Sequence, residues 1–434
     1  MSGESFRFIL ASDFHLETPL GDLDQLPPHL ADALATAPAD AARNVFEAAL
    51  ADNIDFLVLT GDLLNPVAAG PHGMSVILDG LDQLHTAGKP VYWAAGTADD
   101  PQRWPEAIPM PSGITLFPKD RPQTILHERG GRSICALVGR SSQGRSGLNA
   151  AGFQCEPQDV FTIGVGHGTA SAEALAQAKF DYWALGGPHN RLDIAGGSSG
   201  GASAPGSPQG RDWTEPGAHG YLVVDVDADG NVRSHQVATD RFRYCHTEIS
   251  TDEIRTAGSL RNVIGQQLAS LTSEHSGRHL LCSFEVMGGT AETLQSIGDP
   301  AELVRQLRRD HGQSNPAAWV TRLTIHTPSS YPKSWTDEDT ILGDFLRAAD
   351  KLRKQGLAAS SDDSKEASQR GSLMAMTEEH SDLSEPVAQM LGDMPADSRE
   401  TVLNDAVLLG VDLLRGGKLS VPATTLSKSK GTVR

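Results

Sequence analysis

The apolar positions at the start of this chain come in short continuous runs separated by stretches of helical spacing. Residues 6–11 (FRFILA) form one such run, closed by Ser12-Asp13, and predict a buried strand. Over 39–51, Ala42, Val45, Phe46, Ala49 and Leu50 share one helical face. DFLVLTGD then predicts a second buried strand ending at Asp62, and a helix over about 74–87 leads into the strand VYWAAG. Buried strands alternating with helices predict a parallel sheet with helical crossovers, since parallel neighbours need a long connection.

From 114 to 139 the runs shorten to ITLF, TILHER and SICALVG. FTIGVG, a helix near 171–178 and DYWALGG follow. The Gly/Ser/Pro-rich stretch 195–210 predicts loop. YLVVDVD, the turn Asp229-Gly230-Asn231, VRSHQVA and FRYCHTEI predict a β-meander. From 251 a helix (252–272), the strand HLLCSFEVMG, a helix (300–310) and the strand AAWVTRLTIH predict a small α/β module. The organisation expected is therefore 1–250, a module at 251–330, a helix at 331–356, a polar linker at 357–380 and a helical tail at 381–434. In that tail Val387, Met390 and Leu391, and Val402, Leu403, Val407, Leu408, Val411, Leu413 and Leu414, fall at amphipathic spacing.

Composition bounds the chemistry. The 434 residues suggest two or three folding units, and a 39% hydrophobic share excludes wholesale disorder. With 36 Lys+Arg against 55 Asp+Glu the net charge is -19, which on average repels phosphate backbones. Work on nucleic acid would need a local basic groove, a bound metal or a basic partner. No apolar run is long enough to span a membrane, and the N-terminus has no basic, apolar, small-residue leader pattern. The cysteines, Cys135, Cys155, Cys245 and Cys282, lie far apart without a CxxC pair, which fits a reducing, cytoplasmic setting.

Five segments combine chemistry with a position at the end of a predicted strand, where open α/β sheets place their sites. They are Asp13-Phe14-His15, Gly61-Asp62, Gly96-Thr97-Ala98-Asp99, Gly166-His167-Gly168 and Gly186-Gly187-Pro188-His189. Carboxylate with imidazole suits borderline divalent metals such as Mn, Fe or Zn. Singly, each has an ordinary reading: Asp-x-His arises by chance, Gly-Asp caps helices, and a loop histidine is usually structural. Their common placement and order carry the signal.

In that order the motifs resemble those of the calcineurin-like metallophosphoesterases, and in particular the SbcD/YhaO-type DNA repair exonucleases. The family order is D-x-H, G-D, G-N-H-D, a lone His after a strand, and G-H-x-H. DYWALGGPHNRL and PGSPQGRDWTEPGAHGYLVVDVD are similar to the segments around and after the last motif. The resemblance covers about residues 6–250. It implies a four-layer α/β/β/α sandwich, with a small C-terminal α/β capping module and helical tail, and a pair of divalent metals, with Mn the expected ion. It further implies Asp13, His15 and His189 as ligands of a first metal, Asp62 as a bridging carboxylate and His167 as a ligand of the second.

The chain departs from this pattern at three positions. Thr97 replaces the family's Asn ligand, Ala98 its catalytic His, and Gly187 a second-metal His. The first seat keeps its four ligands and the second keeps only Asp62 and His167. Asp99 and Asp100, or His72 and His219, are candidates to refill it. Two functions stand: a metal-dependent DNA exonuclease of reduced or lost activity, and a non-catalytic nuclease-like scaffold. A small-molecule phosphoesterase is a weaker third. The resemblance implies an SbcC-like coiled-coil ATPase as partner, with DNA met mainly through that complex and homodimerisation open. The tail stripes either serve that partner or fold back on the chain. The Arg305, Arg308, Arg309 cluster reads as a solvated helix face before a DNA contact.

Overall fold

The computed structural model describes residues 3–357 apart from 22, 24–25, 52, 106–107, 109–111, 145–146, 154–158, 195–200, 251–253, 255, 288–296, 298 and 327–332, together with 406–411 and 413–414. The expected linker at 357–380 lies outside the described residues from 358 onward, its first residue ending a helix, and the stripe at 387–391, Val402, Leu403 and Cys155 lie outside them too.

The continuous apolar runs become buried strands. β1 (Phe6–Ala11), β2 (Phe56–Leu59), β3 (Val91–Trp93) and β4 (Ile114–Leu116) lie parallel in that order. The crossovers are α1 (Pro28–Ala49) and α2 (Gly70–Thr86). α1 starts at Pro28 rather than at 39, with Pro38 inside it. A proline ordinarily ends a helix; here buried Leu30 and Ala37 continue the apolar side past it.

A second sheet is built from β5 (Gln123–Arg129), β6 (Arg132–Arg140), β7 (Phe161–His167) and β8 (Tyr182–Gly186), with α3 (Ala172–Gln177) between the last two. Its far side is closed by β9 (Leu192–Ile194) and β10 (Ala202–Ala204), in the order β5-β6-β7-β8-β10-β9. Residues 202–204 thus overturn the expected loop. Ala202 and Ala204 are small enough to bury beside Trp183 and Leu185, and backbone pairing with β8 outweighs a turn-like composition. The meander returns as β11 (Gly220–Val226) and β12 (Val232–Ala238), which pair antiparallel onto the free edge of β1.

Three apolar layers hold these parts together. Ile9, Leu57, Val91 and Trp93 pack against Val45, Phe46, Ile77 and Leu81 of the two helices. On the opposite faces of the same strands, Phe8, Leu10, Phe56, Val58 and Tyr92 meet Leu137, Ile163, Val165 and Tyr182 of the second sheet. Val138, Trp183 and Leu185 then pack under α3 with Phe153 and Leu175. Alternation of side chains along a strand gives each sheet two buried faces, and the result is an α/β/β/α sandwich.

β13 (Phe242–Ser250), α4 (Ala257–Glu274), β14 (His279–Met287), α5 (Pro300–His311), β15 (Ala318–Ile325) and α6 (Ile341–Leu357) follow. The last strands form a three-stranded sheet, β13-β14-β15. The chain divides into two compact units, but not at a single point near 251. One unit holds 1–247, 264–284 and 304–323, and the other holds 248–263, 285–303 and 324–434. The later segments join the first unit through a core in which Leu281, Ala317 and Trp319 bury against Leu30, Phe242 and Tyr244. Within the second unit, Val407 and Val411 bury against Trp335, Leu346 and Ala349, while Leu409, Leu413 and Leu414 stay exposed. One face of the tail helix therefore folds back and another remains open.

Candidate metal centre

The carboxyl ends of β1, β2 and β3 in one sheet meet those of β7 and β8 in the other. Thr60 ties them together: its hydroxyl donates to Leu185 O at 3.0 Å, and its carbonyl lies 2.7 Å from His167 Nδ1. The approach is too close for side chains. A Cβ on Gly186 would collide with Thr60 O, and one on Gly96 would collide with Asp62 Oδ1. The strand-end glycines are thus a condition for bringing the carboxylates and imidazoles together.

Asp13, His15 and Asp62 have positive φ, at 57°, 40° and 53°. Non-glycine residues adopt this left-handed region at a cost, and such residues cluster at functional sites. Here the turn points side chains from successive strand ends into one space. Asp13, His15 and His189 offer ligand atoms within 4.8 Å of one another, and so do Asp13, Asp62 and His167. Asp62 Oδ2 lies 3.7 Å from His15 Nε2 and 3.3 Å from His167 Nε2, between the two groups.

Each histidine is held by its other nitrogen. His15 Nδ1 lies 3.2 Å from Glu17 Oε1, His167 Nδ1 donates to Thr60 O, and His189 Nδ1 lies 2.6 Å from Glu215 Oε1. An Nδ1 proton directed at an oxygen leaves Nε2 as the free ligand atom, the usual arrangement of metal-binding histidines. Glu215 also accepts from the backbone of Arg211, whose guanidinium Nη2 stands 2.8 Å from His189 Nδ1. Because that nitrogen cannot both donate and accept, we assign its proton to the ionised Glu215, with Arg211 balancing the carboxylate. Burial opposes ionisation of Glu215, but the bonds and charges of His189 and Arg211 hold it at about 2. Glu17 is likewise lowered, against burial, by His15 and by the Asn65 N–H.

The ligand residues themselves are poised for a cation. Asp13 is fully buried, and that burial raises its pKa. Burial works in the same direction on Asp62, yet His167 and the Ala98 N–H hold it well below the usual carboxylate range. His167, despite burial, is raised to about 9 by Asp62 and Asp13. Asp13 Oδ1 and His15 Nε2 are buried with no hydrogen-bond partner among the described residues. Orphaned buried polar atoms are rare and costly, and a divalent ion between these two atoms would satisfy both. The residues fit a metal.

Thr97 Oγ1 donates toward both oxygens of Asp62, at 3.3 and 3.2 Å, and Ala98 N–H donates to Oδ1 at 2.7 Å. Gly187 adopts φ 103° and donates its N–H to Asp13 Oδ2 at 2.9 Å. Three of the four expected replacements are engaged elsewhere. Asp99 accepts from the N–H groups of Asp62, Gly96 and Leu63 and from Trp93 Nε1. Asp100 pairs with Lys119 at 2.7 Å. His219 is buried with Nδ1 near Ser207 and Nε2 near Glu215 O. Asp99 and His219 are fastenings of the site's loops. His72 is exposed.

Glu17, Arg211 and Glu215 escape a sequence reading. Glu17 follows His15 by two residues, a weak signal, and Glu215 lies 26 residues beyond its histidine.

This chain is 24% identical over 372 residues to a protein of Bacillus subtilis (strain 168) described as the uncharacterized metallophosphoesterase YhaO, covering 79% of this chain and 87% of that protein. No family model matches. The likeness, taken with the metal-ligand groups, supports the metallophosphoesterase family, a hydrolase fold built around divalent metal.

Proposed function

We propose that this chain is a metal-dependent phosphodiester hydrolase acting on DNA in the manner of the SbcD-type exonucleases, with turnover reduced by its depleted second seat. The observation that carries this reading is the pair of orphaned atoms, Asp13 Oδ1 and His15 Nε2, inside a centre where three imidazoles are braced through Nδ1. Asp13, His15, Asp62 and His189 would hold the first ion, with Mn expected, and Asp62 and His167 a weaker second. A bound divalent ion supplies a lowered pKa for water and neutralises phosphate charge.

The chain's own residues set the limits. Asp62 keeps its charge through His167, Thr97 and Ala98, and so remains a ligand at neutral pH. Ala98 offers no imidazole to move a proton at the phosphate. A positioned acid or base contributes roughly 10²–10⁴ in rate, and this chain forgoes it at that position.

The test is metal content with a Mn-dependent nuclease assay on wild type and His15→Ala. About one tightly held Mn per chain and slow, His15-dependent cleavage are expected. A protein that binds no divalent ion would overturn the reading. Tight metal without turnover would favour a second reading, a non-catalytic scaffold for an SbcC-like coiled-coil ATPase. The positions Thr97, Ala98 and Gly187 favour that reading, and exposed Leu409, Leu413 and Leu414 suit such a partner. In either case the net charge of -19 predicts weak DNA binding by the lone chain outside its metal centre.

A further inference from the structure

We propose that Trp213, backed by Arg322, is a stacking platform for an unpaired base of the strand whose phosphate lies at the metal centre. This deepens the hydrolase reading and rests on it for the position of the phosphate.

Trp213 is 45% exposed on a loop whose neighbours Arg211 and Glu215 are buried. A lone exposed apolar side chain is ordinary on a protein surface; what sets this one apart is its mounting and its cation neighbour. The support here is rigid. Gly21 N–H donates to Arg211 O at 2.7 Å, tying the loop to the segment that carries Asp13 and His15. Glu215 holds His189, and Asn190 Nδ2 donates to Thr214 O at 3.3 Å. Asp212 closes the turn by accepting from the N–H of Thr214. Trp213 is two residues from Glu215, so their Cα atoms lie within about 7 Å. Trp213 is therefore mounted on the backbone that braces a metal ligand, His189, through Glu215.

The guanidinium of Arg322 lies over the indole, 5.4 Å from the ring centroid. A cation on a ring face leaves the other face for a second π system, and it adds positive charge where the chain as a whole is acidic. Every base has a π face, so such a platform takes bases without regard to sequence. A paired base is stacked within its duplex, which makes an unpaired or terminal nucleotide the matching ligand.

The experiment compares two oligonucleotides of one length, oligo-dT and an abasic strand with the same phosphates, binding to the full chain with Mn present. Base stacking on an aromatic predicts that wild type binds oligo-dT about five- to hundredfold tighter than the abasic strand. Trp213→Ala should remove most of that preference while abasic binding and Mn affinity stay as they were. Trp213→Phe should retain much of it. A 5-iododeoxyuridine strand irradiated on the wild-type protein should crosslink to Trp213, which tests the contact without a variant. Equal binding of the two strands by wild type, or an unchanged preference in Trp213→Ala, would overturn the platform. Cleavage is scored separately: a Trp213-dependent preference without hydrolysis supports the platform and refutes the hydrolase, and hydrolysis with no Trp213-dependent preference in binding does the reverse.

Discussion

Glu17 and Glu215 never face the metal space, yet they decide which nitrogen of His15 and His189 does. Replacing either with Gln keeps the shape but weakens the grip on the Nδ1 proton. Glu17→Gln and Glu215→Gln should each weaken Mn binding by about 10–100-fold in titration calorimetry, as loss of such outer partners does elsewhere. Unchanged affinity would show that the imidazoles are oriented by packing alone. Asp99 makes a different kind of contribution. Both of its oxygens meet only donors, so an amide in its place would set N–H against N–H. Although burial and the Asp62 charge raise its pKa to about 6, relief of that charge should not compensate. Asp99→Asn should cost about 1–3 kcal/mol in denaturant unfolding, the desolvation of unpaired buried donors.

Among the strand-end loops, the one at 96–99 carries two of the three positions, Thr97 and Ala98, on which the proposal of reduced turnover rests. Its backbone is spent on Asp62, and the Gly96 position tolerates no side chain. The substitutions Thr97→Asn and Ala98→His leave that backbone intact and restore a ligand and an imidazole. Together they should raise bound Mn above one per chain and increase phosphodiesterase turnover by about 10²-fold or more. A double variant that gains neither metal nor turnover would place the deficit elsewhere. Gly187→His is a poorer reversion, because φ 103° strains any side chain there.

Without a divalent ion, the carboxylates of Asp62 and Asp13 favour the protonated form of His167. His167 has a folded pKa of about 9 against an ordinary 6.5. A raised histidine stabilises the fold fully below its unfolded pKa, and that contribution fades as pH rises through the folded value. Chelator-treated protein should therefore lose melting temperature between about pH 7 and 9. Mn replaces the proton, so the Mn-loaded protein should melt higher, by about 2.7 kcal/mol of stability at a hundredfold excess over Kd, and should show a flatter alkaline limb. Scanning calorimetry with and without chelator reads both, and coincident curves would mean that no ion binds the native state.

Much of this was legible in the chain alone. Continuous runs as short as FRFILA and FLVL, bounded by turn residues and rich in aromatic and β-branched side chains, fit strands buried on both sides better than helices, which predicts β1 and β2 where they lie. Asp13, His15, Asp62, His167 and His189 each end such a run, and strand ends of an α/β sheet converge. Local pattern failed where distant contacts outweighed it: Pro38 inside α1, and Ala202–Ala204 drawn out of a loop composition by β8. The sequence by itself thus determined which carboxylates and imidazoles follow which strands. Tertiary structure alone decided how they are held, since Glu215 reaches His189 only by folding, and it decided that Asp99 and His219 are engaged within the site's loops. The reason is that periodicity records burial along one element, whereas a hydrogen bond between loops 26 residues apart leaves no period to read.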